Sequence, residues 1–500
     1  MQHSGKLELT WVGKYKQHKI EPRLLVEDKT KSYGDPASEN MLIHGDNLIA
    51  LRALTDRFEG TIKCIFIDPP YNTGNAFDKY DDGLEHSIWL NMMYQRLQLL
   101  YSLLSYDGFL FVSLDEREHA YAKVMMDEIF GRENFIGDII WQKRKGGGND
   151  SRYIALDHDY ILVYAKNVAK EIHPEQWLTL QSNLYLKRYK ETDNEGNRYY
   201  WDTVARNGLQ NPIPVTITCP DGTQLSINSQ MSQQSILDGL NDGNVRLTKG
   251  KNGWTLHHRV YMRGGQVQRS ILNDVGTNKD AADEMSYLFG DKKSFPYPKP
   301  ESLIARILEL ATKENDIVLD SFLGSGTTAA VAHKMRRRWI GIELGDHAYT
   351  HCKVRLDRVI DGTDAGGITS TVNWQGGGGY HFYELGPSLL VRNKKIPIYQ
   401  INPEFTFEML CEAICKIEGF KYAPNGVFHG HSSEKRFIHI TKEFVNAAYI
   451  KSVTATLGDG QSLLIYGTKI QSDLRLPDNV EVKKIPKDLL EKCEFESEVR

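Results

Sequence analysis

The sequence predicts an α/β protein organised around a mostly parallel sheet. Short apolar runs alternate with amphipathic stretches up to about residue 165, and the same alternation returns after residue 294. Short apolar runs are typical of buried strands, and apolar residues spaced three and four apart are typical of helices. Their alternation favours strand–helix–strand units, in which neighbouring strands run parallel.

The first part of the chain begins this pattern with "NMLIHGDNLIALRAL", which predicts a short strand, a Gly-Asp turn and an amphipathic helix. The elements predicted to follow are the strand "TIKCIFID", the helix "SIWLNMMYQRLQLLYSLL", the strand "GFLFVSLDE", the helix "HAYAKVMMDEIFG" and the strand "HDYILVYAKN". After a long interruption, "YPKPESLIARILELA" predicts a helix, and "DIVLD" and "RWIGIEL" predict two strands separated by a further helix.

Changes in composition predict the domain boundaries. A basic, glycine-rich loop at "QKRKGGGNDSR" opens a polar and irregular stretch, and "DAGGITSTVNWQGGGGYHFYELG" predicts a junction. We therefore expect residues 1–165 and 294–363 to form one domain, residues 166–293 an inserted recognition region, and residues 364–386 a linker. Residues 387–500 are predicted to form a small C-terminal α/β domain.

Composition excludes several classes of protein. With 500 residues, 40% of them hydrophobic and 25% charged, the chain is typical of a globular protein with two or three domains. The net charge of −4 means that any nucleic-acid site must be a local basic patch. There is no apolar run of membrane-spanning length and no signal-peptide pattern, so a cytoplasmic location is predicted. The six cysteines include no CxxC pair, and no metal site is predicted.

The stretch "DIVLDSFLGSGTTAAVA" predicts a cofactor site. A strand is followed by Gly324-Ser325-Gly326 and then by a helix that starts near Thr327. The glycines allow a ligand to approach the backbone, and the helix N-terminus offers unpaired N–H groups to a negative group. The next strand ends in Glu343, whose carboxylate is suited to ribose hydroxyls.

The residues beside this glycine turn favour one cofactor over others. NAD, FAD and S-adenosylmethionine all fit the glycine spacing and Glu343. Asp320, at the strand end, is suited to the ammonium of a methionyl group, and the ring of Phe322 is suited to a sulfonium. We therefore expect S-adenosylmethionine rather than a nicotinamide or flavin. A nicotinamide-dependent dehydrogenase is the alternative that uses the same turn.

The segment Asp68-Pro69-Pro70-Tyr71 predicts the catalytic loop. Each proline fixes φ and removes a donor, so the loop is stiff and presents carbonyl oxygens. A carboxylate next to a fixed carbonyl is a pair of acceptors for an exocyclic NH₂, which has two hydrogens to donate. Accepting both would free the nitrogen lone pair for attack on a methyl group, and the Tyr71 ring could hold a base that has left its stack.

Three blocks, "GDN", "DPPYNTG" and "DSFLGSGTT", closely resemble those of amino-group DNA methyltransferases. The catalytic loop precedes the cofactor loop here, which is the order of the beta group of that family. Further stretches, "NMLIHGDNLIAL", "FPYPKPESLIARIL" and "GGGGYHFYELG", are similar to modification subunits of type III restriction systems. The resemblance covers roughly residues 1 to 390. It implies a Rossmann-like methyltransferase sheet in circularly permuted order, with residues 166–293 as the target-recognition region.

The resemblance also implies the role of each site residue. Asp68 and the Pro69 carbonyl would hold the target amino group after base flipping, with Pro70 shaping the loop and Tyr71 stacking on the base. The implied cofactor residues are Asp46 and Asn47 near the adenine, Glu343 on the ribose, Asp320, Phe322, Gly324, Gly326 and Thr327 around the methionyl group, and Lys299 and Pro300 closing its methionine end. Asp68 favours adenine N6, because cytosine-N4 relatives more often carry serine there, and cytosine N4 stays the alternative.

The expected partner is double-stranded DNA, with a homodimer and a helicase-nuclease restriction subunit implied by the resemblance. Four cations of the glycine-rich loop are the predicted phosphate contacts: Lys143, Arg144, Lys145 and Arg152. The chain contains no Walker A motif and no nuclease constellation, so a stand-alone modification enzyme is the second possibility. A DNA-binding specificity component without catalysis is the third.

Overall fold

The computed structural model describes residues 8–16, 19–72, 76–77, 80–81, 86–146, 153–168, 177–179, 186–205, 208, 211–262 and 265–495. The chain divides into two compact units. The larger unit combines Met1–Ile172 with Arg269–Arg500, and the smaller unit is His173–Gln268. Arg152 and part of the glycine-rich loop lie outside the described residues.

The larger unit begins with nine strands and three helices among its described residues. The strands are β1 (Leu25–Glu27), β2 (Tyr33–Gly34), β3 (Met41–His44), β4 (Ile62–Ile67), β5 (Ala76–Phe77), β6 (Tyr80–Asp81), β7 (Leu104–Leu114), β8 (Phe135–Gln142) and β9 (His158–Ala165). The helices are α1 (Asn47–Phe58), α2 (His86–Leu103) and α3 (His119–Phe130).

The smaller unit is mainly antiparallel. Its described elements are β10 (Leu178–Thr179), β11 (Glu191–Thr192), β12 (Arg198–Thr203), β13 (Ile213–Thr218), β14 (Gln224–Ser229), α4 (Gln233–Asn241), β15 (Val245–Gly250), β16 (Gly253–Tyr261) and β17 (Gln266–Val267). Four of the strands form a sheet in the order β11-β12-β16-β15. Its core brings the sheet residues Val245 and Leu256 together with Val215 of the β13–β14 hairpin and Ile236 of α4. On that sheet the Arg246 guanidinium lies 4.1 Å from the centre of the Trp201 ring.

The chain then returns to the larger unit. The elements are β18 (Ile271–Leu272), α5 (Asn278–Phe289), α6 (Glu301–Ala311), β19 (Ile317–Asp320), α7 (Thr327–Lys334), β20 (Arg338–Glu343), a π-helical turn (Ala348–Lys353), α8 (Val354–Ile360), β21 (Gly379–Leu385), β22 (Leu390–Arg392) and β23 (Tyr399–Ile401). The last described part contains α9 (Phe407–Glu418), β24 (Lys421–Asn425), β25 (Phe428–Ser433), β26 (Arg436–Val445), α10 (Ala447–Thr454), β27 (Ser462–Ile470), β28 (Val480–Lys484) and α11 (Lys487–Leu490).

A sheet of eleven strands, among the residues that the structure describes, forms the centre of the larger unit. Its middle is parallel, in the order β21-β3-β20-β19-β4-β7. An antiparallel arm, β7-β9-β8, extends one side, and β1 and β2 pair antiparallel with β21 on the other. The predicted α/β fold with a mostly parallel sheet is confirmed.

Strands from the two ends of the larger unit interleave in this sheet. β3 and β4 come from the first 70 residues, whereas β19 and β20 lie between them in space and come after residue 316. β4 pairs with β19 through Cys64 opposite Val318 and Ile65 opposite Leu319. This order is the circularly permuted arrangement that the resemblance implied, and it brings the predicted catalytic loop next to the predicted cofactor strand.

The strands of this sheet and the helices of the larger unit share one apolar core. β4 and β19 are almost continuously apolar, which is typical of parallel strands covered on both faces. Their side chains join one buried cluster with residues of the helices, among them Leu51, Met93, Leu97 and Met125.

Gly379–Leu385 lies inside the segment predicted as a linker, yet it forms strand β21 and pairs in parallel with β3. The physical reason is alternation: Tyr380 and Phe382 are buried, and the intervening His381 and Tyr383 are partly exposed. The run of glycines before the strand hid this pattern in the sequence. The smaller compact unit also ends earlier than the predicted recognition region, because β18 and α5 belong to the larger unit.

The final part of the chain forms a separate five-stranded sheet in the order β24-β25-β26-β27-β28, with β26, β27 and β28 parallel. It packs around α9 in a core that includes Leu410, Ile414, Ile438 and Tyr466. No helix among the described residues is long and apolar enough to cross a membrane.

Candidate functional site

Acidic side chains mark the carboxyl edge of the central sheet. Five neighbouring strands, β3, β20, β19, β4 and β7, carry one at or just after their last residue, in that order Asp46, Glu343, Asp320, Asp68 and Asp115. Because parallel strands end at the same edge, these carboxylates lie along one side of the sheet, where ligands bind in open α/β folds. The central members, Asp320 and Asp68, belong to directly paired strands.

A cavity of about 680 Å³ opens at this edge. It is lined by these predicted site residues: Asp68, Pro69, Pro70, Tyr71, Lys143, Arg144, Lys299, Asp320, Phe322, Gly324 and Thr327. Asp46, Asn47, Pro300, Gly326, Glu343 and Lys145 are outside this lining. The structure therefore brings the predicted catalytic loop and the glycine turn into one pocket.

Asp68 lies at the tip of β4, and its carboxylate is held on both oxygens. The Tyr71 hydroxyl donates a 2.8 Å hydrogen bond to Oδ1, and the Lys299 ammonium donates to Oδ2. The hydroxyl of Ser113, which is buried on β7, lies 2.8 Å from the same phenol oxygen. Burial raises the pKa of the Tyr71 phenol well above its usual range, and the nearby Asp68 and Asp159 carboxylates add to the rise. The phenol therefore stays protonated and acts as the donor.

The rest of the proline loop is also fixed. The indole N–H of the buried Trp89 on α2 donates a 2.7 Å hydrogen bond to the Pro70 carbonyl. Asn72 has a positive φ of 58°, and its side-chain amide donates to Glu118 at 2.6 Å. Because Trp89 engages the Pro70 carbonyl, the Pro69 carbonyl is the better candidate to accept a hydrogen from a ligand.

Asp320 is buried at the end of β19. Its two oxygens accept hydrogen bonds from the backbone N–H of Phe322 at 2.9 Å and from the Thr328 hydroxyl at 2.6 Å. Burial raises the pKa of Asp320 to about 7, opposed by these hydrogen bonds and reinforced by the charges of Asp68 and Glu343. A cationic ligand group would stabilise the ionised form of this carboxyl group.

The glycine turn has the backbone geometry that glycine permits. Gly324 and Gly326 have φ values of +58° and +83°. A Cβ atom on Gly326 would lie 3.1 Å from the Cα of Cys352. The buried Glu343 carboxylate accepts hydrogen bonds from the backbone N–H of Gly324 at 2.8 Å and of Gly345 at 2.9 Å. In this structure Glu343 thus holds the turn in place, and its contact with a ribose stays a prediction.

Asp46 and Asn47 lie at the start of α1, beside the cavity lining. Asp46 caps the helix by accepting from the backbone N–H groups of Leu48 and Ile49. The Asn47 amide donates to the Ser321 carbonyl at 2.7 Å, and its oxygen accepts from Arg96 at 2.5 Å. The first contact joins α1 to the residue that follows β19, and the second joins α1 to α2. The predicted contact of both residues with an adenine ring stays a prediction.

A buried ionic network follows the Lys299-Pro300 segment. Pro300 occupies the N-cap position of α6, and Glu301, the first residue of the helix, pairs with Lys334 at 2.9 Å and with Arg355 at 2.8 Å. Arg355 also donates to the Thr327 hydroxyl at 2.8 Å. Burial alone would raise the pKa of Glu301, but the Arg355 and Lys334 charges outweigh it and lower that pKa. The network therefore ties the Lys299 segment to the first residue of α7.

Three residues of this region were not predicted from the sequence: Asp115 and Asp159 line the cavity, and Ser113 contacts the Tyr71 hydroxyl. Asp115 and Asp159 are almost fully buried, and burial raises the pKa of Asp115 to about 6. Asp115 directly follows β7 and Asp159 lies on β9, and these two strands pair antiparallel with Leu114 opposite Tyr160. The motif "SLDE" at the end of a predicted strand was the available signal.

The predicted DNA-contacting cations differ in their surroundings. The Lys143 ammonium pairs with Asp159 at 2.6 Å inside the cavity. Arg144 and Lys145 are exposed, and Arg144 also borders the cavity. Arg152 lies outside the described residues. Lys143 is therefore engaged by a carboxylate in this structure, whereas Arg144 and Lys145 have the exposure that a phosphate contact needs.

Comparison with known proteins gives three findings. A family profile described as DNA methylase matches residues 62–353, more than half of the chain. The "Probable type III restriction-modification enzyme HindVI Mod subunit" of Haemophilus influenzae is 35% identical over 77% of this chain and 59% of its own length. The type II methyltransferase M.KpnI of Klebsiella pneumoniae is 30% identical over 61% of this chain and 79% of its own. The resemblance predicted from the sequence is confirmed.

The match to the larger relatives is partial. The chain spans between 51% and 60% of the length of three type III Mod subunits that it matches. Among solved structures, the cytosine-N4-specific PvuII DNA methyltransferase is 16% identical, with a TM-score of 0.35 over 64% of this chain and 86% of that one. That structural likeness is too low to bear on function.

Proposed function

The chain belongs to the DNA methylase family, and on this premise we propose that it transfers a methyl group from S-adenosylmethionine to the exocyclic amino group of a DNA base. The observation that carries the proposal is the shared cavity. Asp68 directly follows β4, Gly324 lies in the turn after the paired strand β19, and both line the same space. The oxygens that would accept the amino hydrogens lie in the same cavity as the glycine turn. This arrangement suits direct transfer of a methyl group from one bound molecule to the other.

The residues around the glycine turn fit the proposed methyl donor. Gly324 leaves room where a Cβ atom would lie 3.1 Å from the Phe295 ring, and α7 starts directly behind the turn. The buried Asp320 carboxylate suits the ammonium of the methionyl group, and the Phe322 ring lines the cavity beside it. When bound, S-adenosylmethionine supplies a methyl group on a sulfonium, an electrophile that a neutral amine can attack.

Asp68 and Pro69 supply the acceptor pair. The lone pair of an aromatic amine is delocalised into its ring, so the amine is a poor nucleophile. When a carboxylate and a carbonyl accept its two hydrogens, the nitrogen becomes more tetrahedral and its lone pair becomes available. Tyr71 and Lys299 fix the Asp68 carboxylate beforehand, which is the pre-organisation that electrostatic catalysis requires. After transfer the nitrogen carries an extra proton, which Asp68 is placed to accept.

Adenine N6 in double-stranded DNA is the proposed target, and cytosine N4 is the alternative on the same scaffold. The preference rests on Asp68, since relatives that modify cytosine more often carry serine there. We assign recognition of the DNA sequence to the smaller unit, whose four-stranded sheet carries arginine and aromatic side chains side by side. The likeness to Mod subunits supports a restriction subunit as the partner. The homodimer is proposed from the sequence resemblance alone. The likeness to M.KpnI supports a stand-alone enzyme as the alternative.

The test is methyl transfer from labelled S-adenosylmethionine to duplex DNA, followed by mass spectrometry of the nucleosides. We expect N6-methyladenine from the wild type, and a loss of roughly a hundredfold to a thousandfold in Asp68→Asn. Cofactor affinity of this variant should stay within about threefold, because Asp320 and the glycine turn are intact. The exposed Asp56 on α1 offers the control Asp56→Asn, which should behave like the wild type.

Each contrary outcome points to a different alternative. N4-methylcytosine would move the proposal to cytosine. Equal transfer by wild type and Asp68→Asn would remove Asp68 from catalysis. DNA binding without transfer by the wild type would favour a specificity component, and binding of NADH without S-adenosylmethionine would favour a dehydrogenase.

A further inference from the structure

The Lys299 ammonium pairs with Asp68, although the two residues are 231 positions apart in the chain. We infer that Lys299 is a positioning residue that holds the Asp68 carboxylate in its working orientation, and that it is not a cofactor ligand. The inference rests on the proposed function and assigns Lys299 a role different from the one implied by the sequence resemblance.

The position of the Lys299 side chain is strongly restrained. It is 7% exposed, and its ammonium lies 5.1 Å from the centre of the Tyr71 ring and 5.9 Å from that of Trp141. Trp141 is itself fixed, since it is fully buried and its indole N–H donates to the Gly276 carbonyl at 2.9 Å. Two aromatic rings stabilise a cation in such a place.

The backbone at Lys299 is equally restrained. Pro298 and Pro300 flank the residue. Pro300 restricts the φ and ψ of Lys299, and the ring of Pro298 fixes the φ of Pro298 itself. Glu301 then anchors the segment through the buried pairs with Lys334 and Arg355. Because both its backbone and its side chain are restrained, the Lys299 ammonium is held in one position beside Asp68.

The contact with Lys299 is one of two that hold the Asp68 carboxylate. Tyr71 donates to Oδ1 of Asp68 and Lys299 donates to Oδ2, so the carboxylate plane has two anchors. A carboxylate has about four lone-pair sites on its two oxygens. Each oxygen therefore keeps a site for a hydrogen of the target amino group while both anchors stay in place.

The two roles predict different effects of removing the charge. Lys299→Met keeps the apolar stem between the rings, and Lys299→Arg keeps a cation that can pair with Asp68. For a positioning residue, we expect Lys299→Met to slow single-turnover transfer at saturating cofactor roughly a hundredfold, as misplacement of a reacting group does. The Kd for S-adenosylmethionine, measured by calorimetry, should stay within about threefold, and Lys299→Arg should restore at least about a tenth of the wild-type rate.

A crystal structure of the Lys299→Met protein is the readout that needs no activity. We expect the Asp68 side chain to rotate and to lose its 2.8 Å contact with Tyr71. Lys63, which pairs with Asp107 at 2.5 Å and is not among the residues lining the cavity, gives the matched control. Lys63→Met removes a lysine–aspartate pair of the same kind and should leave the transfer rate and the cofactor Kd within twofold.

Three results would overturn the inference: a rise of tenfold or more in the cofactor Kd of Lys299→Met, an unchanged transfer rate, or an Asp68 side chain that keeps its wild-type orientation. Failure of the proposed function is a separate result, because the wild type would then transfer no methyl group to any DNA. In that case the Kd and the crystal structure of the variant still decide the role of Lys299.

Discussion

The Tyr71 hydroxyl donates a 2.8 Å hydrogen bond to the Asp68 carboxylate, three residues earlier in the same loop. The sequence assigned Tyr71 a stacking role through its ring, and the structure adds a second task for its hydroxyl. Ring and hydroxyl can be removed separately, so the two tasks can be measured separately.

Tyr71→Phe should keep the ring and lose the anchor of Asp68. A hydrogen bond to a charged group contributes about 1.5–3 kcal/mol, so single-turnover transfer should slow roughly tenfold to a hundredfold while DNA affinity stays within twofold. Tyr71→Ala should in addition weaken capture of the flipped base, which fluorescence of 2-aminopurine at the target position reports. An unchanged rate in Tyr71→Phe would show that the hydroxyl has no part in orienting Asp68.

Cofactor affinity should depend on pH through Asp320. Its pKa of about 7 lies well above the usual value for aspartate because the group is buried. A ligand ammonium favours the ionised form, so raising the pH from 6.0 to 7.5 should tighten S-adenosylmethionine binding several-fold and release protons on binding. Calorimetry in buffers of different ionisation enthalpy measures both effects. Asp320→Asn should bind weakly at both pH values, and the same pH dependence in that variant would exclude Asp320 as its source.

Gly326→Ala should disrupt the glycine turn. The residue has a φ of +83°, and a Cβ atom would meet the backbone of Cys352 at 3.1 Å. The backbone strain alone costs about 1–2 kcal/mol, and the close contact adds to it. Gly290→Ala is the matched control, since Gly290 has a φ of +76° with no atom within 4 Å of the added Cβ. Chemical denaturation should show a larger loss in Gly326→Ala, and only this variant should bind the cofactor more weakly.

Glu301→Gln should test the ionic network behind Lys299. The change removes the 2.8 Å partner of Arg355 and leaves it the Glu284 carboxylate at 3.9 Å, while Lys334 keeps its pair with Asp364 at 2.7 Å. We expect a loss of about 1–3 kcal/mol of unfolding free energy, the cost of a weakened buried pair. Glu309→Gln on the same helix removes a half-exposed carboxylate whose pair with Arg306 is 3.8 Å long, and should cost less than about 0.5 kcal/mol. Equal unfolding free energies of the two variants, measured by urea denaturation, would mean that the network makes no net contribution to the stability of the fold.

Local sequence patterns were sufficient for part of this site. Asp68 and Gly324 stand at the ends of apolar strands, and their neighbours, two prolines and a helix start, have strong local preferences. A pattern of that kind involves only residues adjacent in the chain, so it can be recognised in the sequence before the fold is known.

Other features depend on strand order, which local patterns do not contain. Asp115 and Asp159 line one cavity only because β7 and β9 pair, and Lys299 reaches Asp68 only because β19 lies beside β4. Glu343 has the predicted position at a strand end, but backbone N–H groups of the turn engage its carboxylate. Whether a carboxylate such as Glu343 binds a ligand or the protein's own N–H groups depends on how the chain packs in three dimensions.

The interleaved strand order has a consequence for how the chain is made. During translation β4 emerges about 250 residues before its neighbour β19, from Ile67 to Ile317. At roughly 5–20 residues per second, the ribosome needs tens of seconds to close that gap. For that time the nascent β3 and β4 lack the partners that separate them, and their open edges invite aggregation. We therefore expect the yield of native protein to respond to chaperones that shield a growing polypeptide.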